Sequence, residues 1–161
     1  MTESNPRVLL DVEDVCKWFP IKGWPFGSKR YVQAVNHVSF RLYEGETLGL
    51  VGESGCGKTT LARTVLRLIE PTQGSIQFDG VDLMAQSKRQ LRAMRKDMQI
   101  VFQDPYSSLH PRMTVRQIIE EPMRIRGLYT EPGAREARVK ELLQMVGLNE
   151  THMDRYPHEF S

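Results

Sequence analysis

Cysteine is scarce in this chain: Cys16 and Cys56 are the only two in 161 residues. They are far apart and have no companion cysteines, so neither a disulfide framework nor a cysteine metal knuckle is indicated. Long apolar runs are missing too, and no stretch approaches the roughly 20 residues of a membrane-crossing helix. The amino terminus, Met1-Thr2-Glu3-Ser4-Asn5-Pro6, lacks the pattern of a secretory signal. The four histidines, His37, His110, His152 and His158, are scattered with no metal-ligand spacing. An excess of one sign of charge is lacking: with 22 Lys and Arg against 20 Asp and Glu, a net charge of +2 does not by itself argue for nucleic acid or a membrane surface. Hydrophobic content of 40% and charged content of 26% are ordinary for a soluble globular protein. The length suits one domain or part of a larger one, and the chain reads as cytosolic.

What is present is concentrated in one run, Gly52-Glu53-Ser54-Gly55-Cys56-Gly57-Lys58-Thr59. It fits G-x-x-x-x-G-K-[ST], the phosphate-binding loop, at every fixed position. Upstream, Thr47-Leu48-Gly49-Leu50-Val51 is a short apolar run of the kind that makes a strand buried on both faces. Downstream, Thr59 to Ile69 places Leu61, Val65, Leu66, Leu68 and Ile69 mostly at helical spacing until Glu70-Pro71. Strand, glycine loop and helix is the order the motif requires. Glycines let backbone N–H groups curl around phosphates, and the helix start adds further donors and the positive end of its dipole. Lys58 would set its ammonium against the β- and γ-phosphates and Thr59 its hydroxyl on Mg²⁺. Cys56 reads either as a small residue fitting a crowded turn or as a thiol activated by Lys58 and the helix N-terminus.

The rest of the first half reads as β-rich. Val8 to Val15 alternates loosely, and Val38, Phe40 and Leu42 share one face of a second strand. Pro20 to Arg30 is a long turn-rich loop. Gly74 to Phe78, then Asp79-Gly80, then Val81 to Leu83 is a hairpin signal. Antiparallel hairpins around such a loop indicate a β-subdomain joined to an α/β core. Gln86 to Met98 reads as a helix whose basic face (Lys88, Arg89, Arg92, Arg95, Lys96) is either solvated or a nucleic-acid patch. Met98 to Phe102 is expected to form a short buried strand, ending in Gln103-Asp104-Pro105. Asp104 could carry the metal's carboxylate. Gln103, a neutral amide where the β-rich half meets the helical half, could touch Mg²⁺ and relay ligand occupancy. Beyond it, Thr114 caps a helix to Met123, and a second helix from Arg135 to Val146 is stopped by Gly147.

Together these residues resemble the ATP-binding subunits of ABC transporters, and within them the oligopeptide/dipeptide importer ATPases. The resemblance spans Leu9 to Ser161. It is carried by Val38-Ser39-Phe40, by Glu44 through Thr60, by Val101 through Val115 and by Tyr156-Pro157-His158-Glu159-Phe160-Ser161. It implies a P-loop α/β nucleotide-binding domain of ABC type, incomplete: an antiparallel β-subdomain, part of a RecA-like core and a helical subdomain. Residues 1–104 would form the β-subdomain and Walker A part, and 105–161 the helical part.

The resemblance also implies roles. Gly52, Ser54, Gly55, Cys56, Gly57, Lys58, Thr59 and Thr60 would hold ATP, and Thr59 and Gln103 would hold Mg²⁺. Gln103 is the Q-loop residue coupling nucleotide to the membrane subunits. Phe19 is the match for the adenine-stacking aromatic, with Tyr31 its rival. The implied partners are membrane-spanning permease subunits and a second ATPase subunit, identical or related, at the cytoplasmic face of the membrane. Nucleic acid is not an expected partner, although a nucleic-acid-linked ABC ATPase remains the alternative of another class. Ser161 resembles the first residue of the family's signature, and the Walker B carboxylates and switch histidine are not in the 161 residues. The expectation is that this chain binds ATP, does not hydrolyse it efficiently alone, and is marginally soluble alone. A gene fragment without independent activity fits the same sequence.

Overall fold

The computed structural model describes residues 6–21, 30–104 and 108–160. Positions 22–29 of the turn-rich loop, Pro105 to Ser107 after the Q-loop residue, and Ser161 lie outside the described residues. The chain divides into two units, Met1–Gln99 and Ile100–Ser161.

The first unit is built on a four-stranded sheet in the order β2-β1-β3-β4, with β1 Val8–Pro20, β2 Tyr31–Tyr43, β3 Gln73–Phe78 and β4 Val81–Asp82. All neighbours are antiparallel. Val12 lies opposite Phe40 on one side and Ile76 on the other. The loose alternation of β1 has a local cause. Asp14 and His37 both take positive φ, at 51° and 50°, and the β1–β2 register slips on either side of Val15. The irregularity lets adjacent Val15 and Cys16 both be buried. It is stitched by the Asp14 N–H donating to Ser39 Oγ at 2.8 Å and by the Asp14 carboxylate 2.7 Å from His37 Nδ1. The β3–β4 hairpin turns on Asp79 and Gly80, at φ 50° and 74°, the two positive values a tight primed turn needs.

One core joins the sheet to the helices α1 (Lys58–Val65) and α2 (Lys88–Met94): Val12, Val15, Val35 and Ile76 meet Leu61, Val65, Leu83, Leu91 and Met98. Helix α1 stops at Val65, short of Ile69, because Arg67 turns left-handed (φ 50°). Its N–H donates to the Thr64 carbonyl at 2.9 Å and the Leu68 N–H to that of Arg63 at 2.9 Å, the paired bonds of a Schellman cap. Helix α2 is likewise shorter than the apolar pattern suggests, beginning after Ser87, whose side chain and that of Gln90 cap each other's backbone N–H groups.

Two expected strands do not form. Thr47–Val51 and Met98–Phe102 belong to no ladder, and Val51 and Val101 are 89% and 93% exposed. An apolar run states what a segment would bury. A strand also needs a neighbour to pair with, and among the described residues none lies alongside either segment.

The second unit packs α3 (Val115–Ile125) against α4 (Ala134–Met145) around Met123, Val139, Leu143 and Met153. Short 3-10 turns follow at Glu150–His152 and Pro157–Glu159. Thr114 begins α3 with a capping box: its hydroxyl accepts from the Gln117 N–H at 3.3 Å, and Gln117 Oε1 accepts from the Thr114 N–H at 2.9 Å. The next two N–H groups donate to the carbonyls of Arg155 and Met153, both at 2.9 Å. Gly127 and Gly147 end the two helices at φ 65° and 76°. Thr114→Ala is expected to cost this unit about 1 kcal/mol, read as a lower urea midpoint by helical circular dichroism. An unchanged midpoint would show that the backbone caps from residues 153 and 155 suffice.

Candidate nucleotide-binding site

The loop between Gly52 and Lys58 is shaped by close approach. Gly57 sits at φ 101° immediately before α1, and a Cβ there would stand 2.1 Å from the Ala34 carbonyl oxygen of β2. Gly52 sits at φ 155°, where a Cβ would meet Cys56 Sγ at 2.7 Å. No L side chain fits at Gly57, where the obstacle is backbone; at Gly52 one would be strained and would push the Cys56 thiol aside. The Cys56 N–H donates to the Glu53 carbonyl at 3.3 Å, closing the turn, and the Leu61 N–H donates to that of Gly57 at 2.8 Å, opening the helix.

Lys58 is wound back over its own loop. Its Nζ donates to the carbonyl oxygens of Gly52 at 2.7 Å and Glu53 at 2.6 Å, and lies 3.5 Å from Cys56 Sγ. The ammonium therefore stands above the bend, beside the start of α1. That helix start offers N–H groups with no intrahelical acceptor and carries no acidic residue in its first turn to compete for them. A groove of about 350 Å³ runs between the loop and β2, bordered by Gln33, Ala34, Asn36, Leu50, Gly57 and Lys58. Thr59 is exposed and Thr60 half-buried on the first turn. Helix-start donors and the Lys58 cation stand together at the loop, with Thr59 and Thr60 next in sequence, which suits a polyphosphate.

The other candidates are placed separately. Phe19 is the penultimate residue of β1, opposite Val32, and exposed, with Lys17 Nζ 5.0 Å from its ring centre. Tyr31 begins β2 opposite Pro20, its ring 6.5 Å from that of Trp18. Both rivals occupy the same end of the hairpin. Gln103 and Asp104 belong to the second unit and are exposed. Cys56 is exposed and lines the loop, whereas Cys16 is buried. Of the basic face on α2, Arg95 is withdrawn from solvent and donates to the carbonyls of Leu66 and Arg67. The second unit has an apolar groove of its own, lined by Leu109, Val115, Ile118, Ile119, Leu148, Pro157 and Phe160, with nothing suited to phosphate.

Sequence reasoning missed Ala34. Its signal was a small residue of low strand propensity between Val32 and Val35 in a strand, a sign that another backbone comes close.

The comparisons with known proteins agree with this geometry. The pattern of the family described as ABC transporter matches residues 35–161. The oligopeptide transport ATP-binding protein AppF of Bacillus subtilis is 50% identical over 100% of this chain and 49% of its own length. The corresponding OppF of Escherichia coli is 44% identical over 100% of this chain and 49% of its own. This chain thus spans about half the length of these curated relatives. Among solved structures, the dimeric MJ0796, a bacterial ABC transporter cassette, superposes with a TM-score of 0.77 at 26% identity, over 95% of this chain and 63% of that one. The same cassette in a post-hydrolysis state bound to ADP and Pi gives 0.75, at the same identity and coverage. The chain belongs to the ABC transporter family, and its fold is that of an ABC nucleotide-binding domain in part.

Proposed function

We propose that this chain carries the ATP-binding loop of an energy-coupling subunit of an ABC peptide importer. The observation that carries the reading is the Lys58 ammonium, poised on the carbonyls of Gly52 and Glu53 beside a helix start free of acidic side chains. Gly52, Ser54, Gly55, Cys56, Gly57, Lys58, Thr59 and Thr60 would hold ATP, and Thr59 and Gln103 would hold Mg²⁺. Phe19, with Tyr31 as the competing aromatic, would stack on adenine. When bound, Mg²⁺ supplies charge neutralisation between the β- and γ-phosphates. Residues 1–104 would serve the nucleotide, and 105–161 the contact with membrane subunits.

Several parts of this reading rest on likeness to relatives named as oligopeptide transport proteins. These are peptide import, permease partners, and a station on the cytoplasmic face of the membrane. A second ATPase subunit is supported by the dimeric form of the solved cassette. Among the described residues no helix is long and apolar enough to cross a membrane, which suits a peripheral subunit. Hydrolysis is proposed as a property of the assembled dimer, with these residues alone binding ATP and turning it over little.

The two cysteines give a direct test. Cys16 is buried and Cys56 exposed, so alkylation of the folded chain reports on the loop. Saturating Mg-ATP is expected to slow alkylation of Cys56 about tenfold or more, and AMP to slow it much less, because the thiol lies 3.5 Å from Lys58 Nζ, which would hold the β- and γ-phosphates. Equal rates with and without Mg-ATP would overturn the assignment.

A further inference from the structure

We infer that Arg95 is a positioning residue for the phosphate-binding end of α1, acting through the opposite end of that helix; the inference rests on the nucleotide reading above. Helix α1 has eight residues, little more than two turns and about 12 Å long. A helix so short does not hold its own shape in water. Its tilt is therefore set by what grips its two ends.

At the carboxyl end the chain winds into the left-handed conformation at Arg67. The carbonyls of Ala62, Arg63 and Thr64 are taken by the N–H groups of Leu66, Leu68 and Arg67. Beyond Val65, the carbonyls of Leu66 and Arg67 both accept from the Arg95 guanidinium: Nη1 donates to the first, and Nη2 to the second at 3.1 Å. Two nitrogens of one planar fork on two carbonyls of one turn is a grip that lysine cannot reproduce. It also sets a positive charge at the negative end of the helix dipole.

Arg95 is itself held. It closes α2, whose Leu91 shares the core with Leu61 and Val65 of α1. The Arg67 side chain, only 8% exposed, fastens the same turn from the other side, donating to the Leu83 carbonyl and to Glu70, 2.9 Å from Oε1 and 2.7 Å from Oε2. The neighbouring Lys88, Arg89, Arg92 and Lys96 stay exposed, so the inward turn of Arg95 is particular to it. Loosening this turn would let α1 rock about Leu61. The N–H groups of its first turn would then shift against the phosphates. The hairpin end that carries Phe19 and Tyr31 would stay in place, because it is held by the β1–β2 ladder.

The consequence is selective. Contacts with the β- and γ-phosphates should weaken, and contacts with the nucleoside should not. The test is to titrate the wild-type chain, Arg95→Ala and Arg95→Lys with ATP and with AMP, after checking each for the wild-type circular dichroism spectrum. Misplacement of the order of an ångström predicts about a tenfold loss of ATP affinity in Arg95→Ala against less than about twofold for AMP, with Arg95→Lys between wild type and alanine. A folded Arg95→Ala chain with the wild-type ratio of ATP to AMP affinity would overturn the inference. If the alanine variant does not fold, Arg95→Lys decides alone, and an unchanged ratio there overturns it equally. A wild-type chain that binds ATP no better than AMP overturns the reading of the loop itself, a separate and recognisable failure.

Discussion

Lys58→Ala is expected to lower the affinity of the chain for Mg-ATP by about 5- to 1000-fold while leaving the fold nearly unchanged. The size follows from what the ammonium does before and after the ligand arrives. Without nucleotide, Nζ is already satisfied by the carbonyls of Gly52 and Glu53 at 2.7 and 2.6 Å. Binding therefore exchanges two hydrogen bonds to neutral oxygens for bonds to phosphate oxygens carrying full charge. Charge-assisted bonds are worth about 1.5–3 kcal/mol each, against roughly 1 kcal/mol for the neutral ones given up. Two exchanges leave about 1–4 kcal/mol in favour of the complex, or roughly 5- to 1000-fold in affinity.

Stability should change little. The lysine is the half-buried first residue of α1, and the carbonyls it leaves, on exposed Gly52 and Glu53, can turn to water. Isothermal titration with a slowly hydrolysed ATP analogue, paired with thermal unfolding of the same samples, measures both halves. Undiminished binding by the folded variant would remove Lys58 from the site. A variant that fails to fold would show that the lysine's bonds to its own loop are structural.

Local chemistry was the legible part of the sequence. The Asp79-Gly80 turn, the Thr114 cap and the Gly147 stop each lie within a few residues of the feature they specify, and each stands where the sequence places it. The glycine loop's shape was legible for the same reason: glycines, lysine and threonine occupy one contiguous run. What failed needed a distant partner. Thr47–Val51 and Met98–Phe102 have the apolar character of buried strands and no strand beside them among the described residues. The length of β1 and β2 was obscured by Asp14 and His37, whose positive φ values break the alternation that periodicity looks for. Arg95 looked like one more charge on a solvated face, because composition cannot show that a guanidinium reaches the end of a helix 29 positions upstream.

Gly57→Ala is expected to be the most damaging small substitution in the loop. Two independent costs fall on one methyl group. The backbone there is at φ 101°, where an L residue carries about 1–2 kcal/mol of strain. The added carbon would also stand 2.1 Å from the Ala34 carbonyl oxygen and 3.2 Å from its carbon. Relief requires the loop or β2 to retreat by about an ångström, and β2 is fixed by its ladder to β1. The loop must therefore give way, taking the start of α1 and its donors with it. The combined loss is expected to be about 2–5 kcal/mol in stability, the sum of the backbone strain and the overpacking. Any molecules that still fold should bind ATP poorly. Gly55→Ala is the matched control: its φ is 81°, but nothing lies within 4 Å of the new carbon, so only the strain of about 1–2 kcal/mol applies. Urea denaturation of the three chains orders them directly. Equal losses in both variants would mean that the close approach to Ala34 contributes nothing, and that the loop keeps its place by backbone conformation alone.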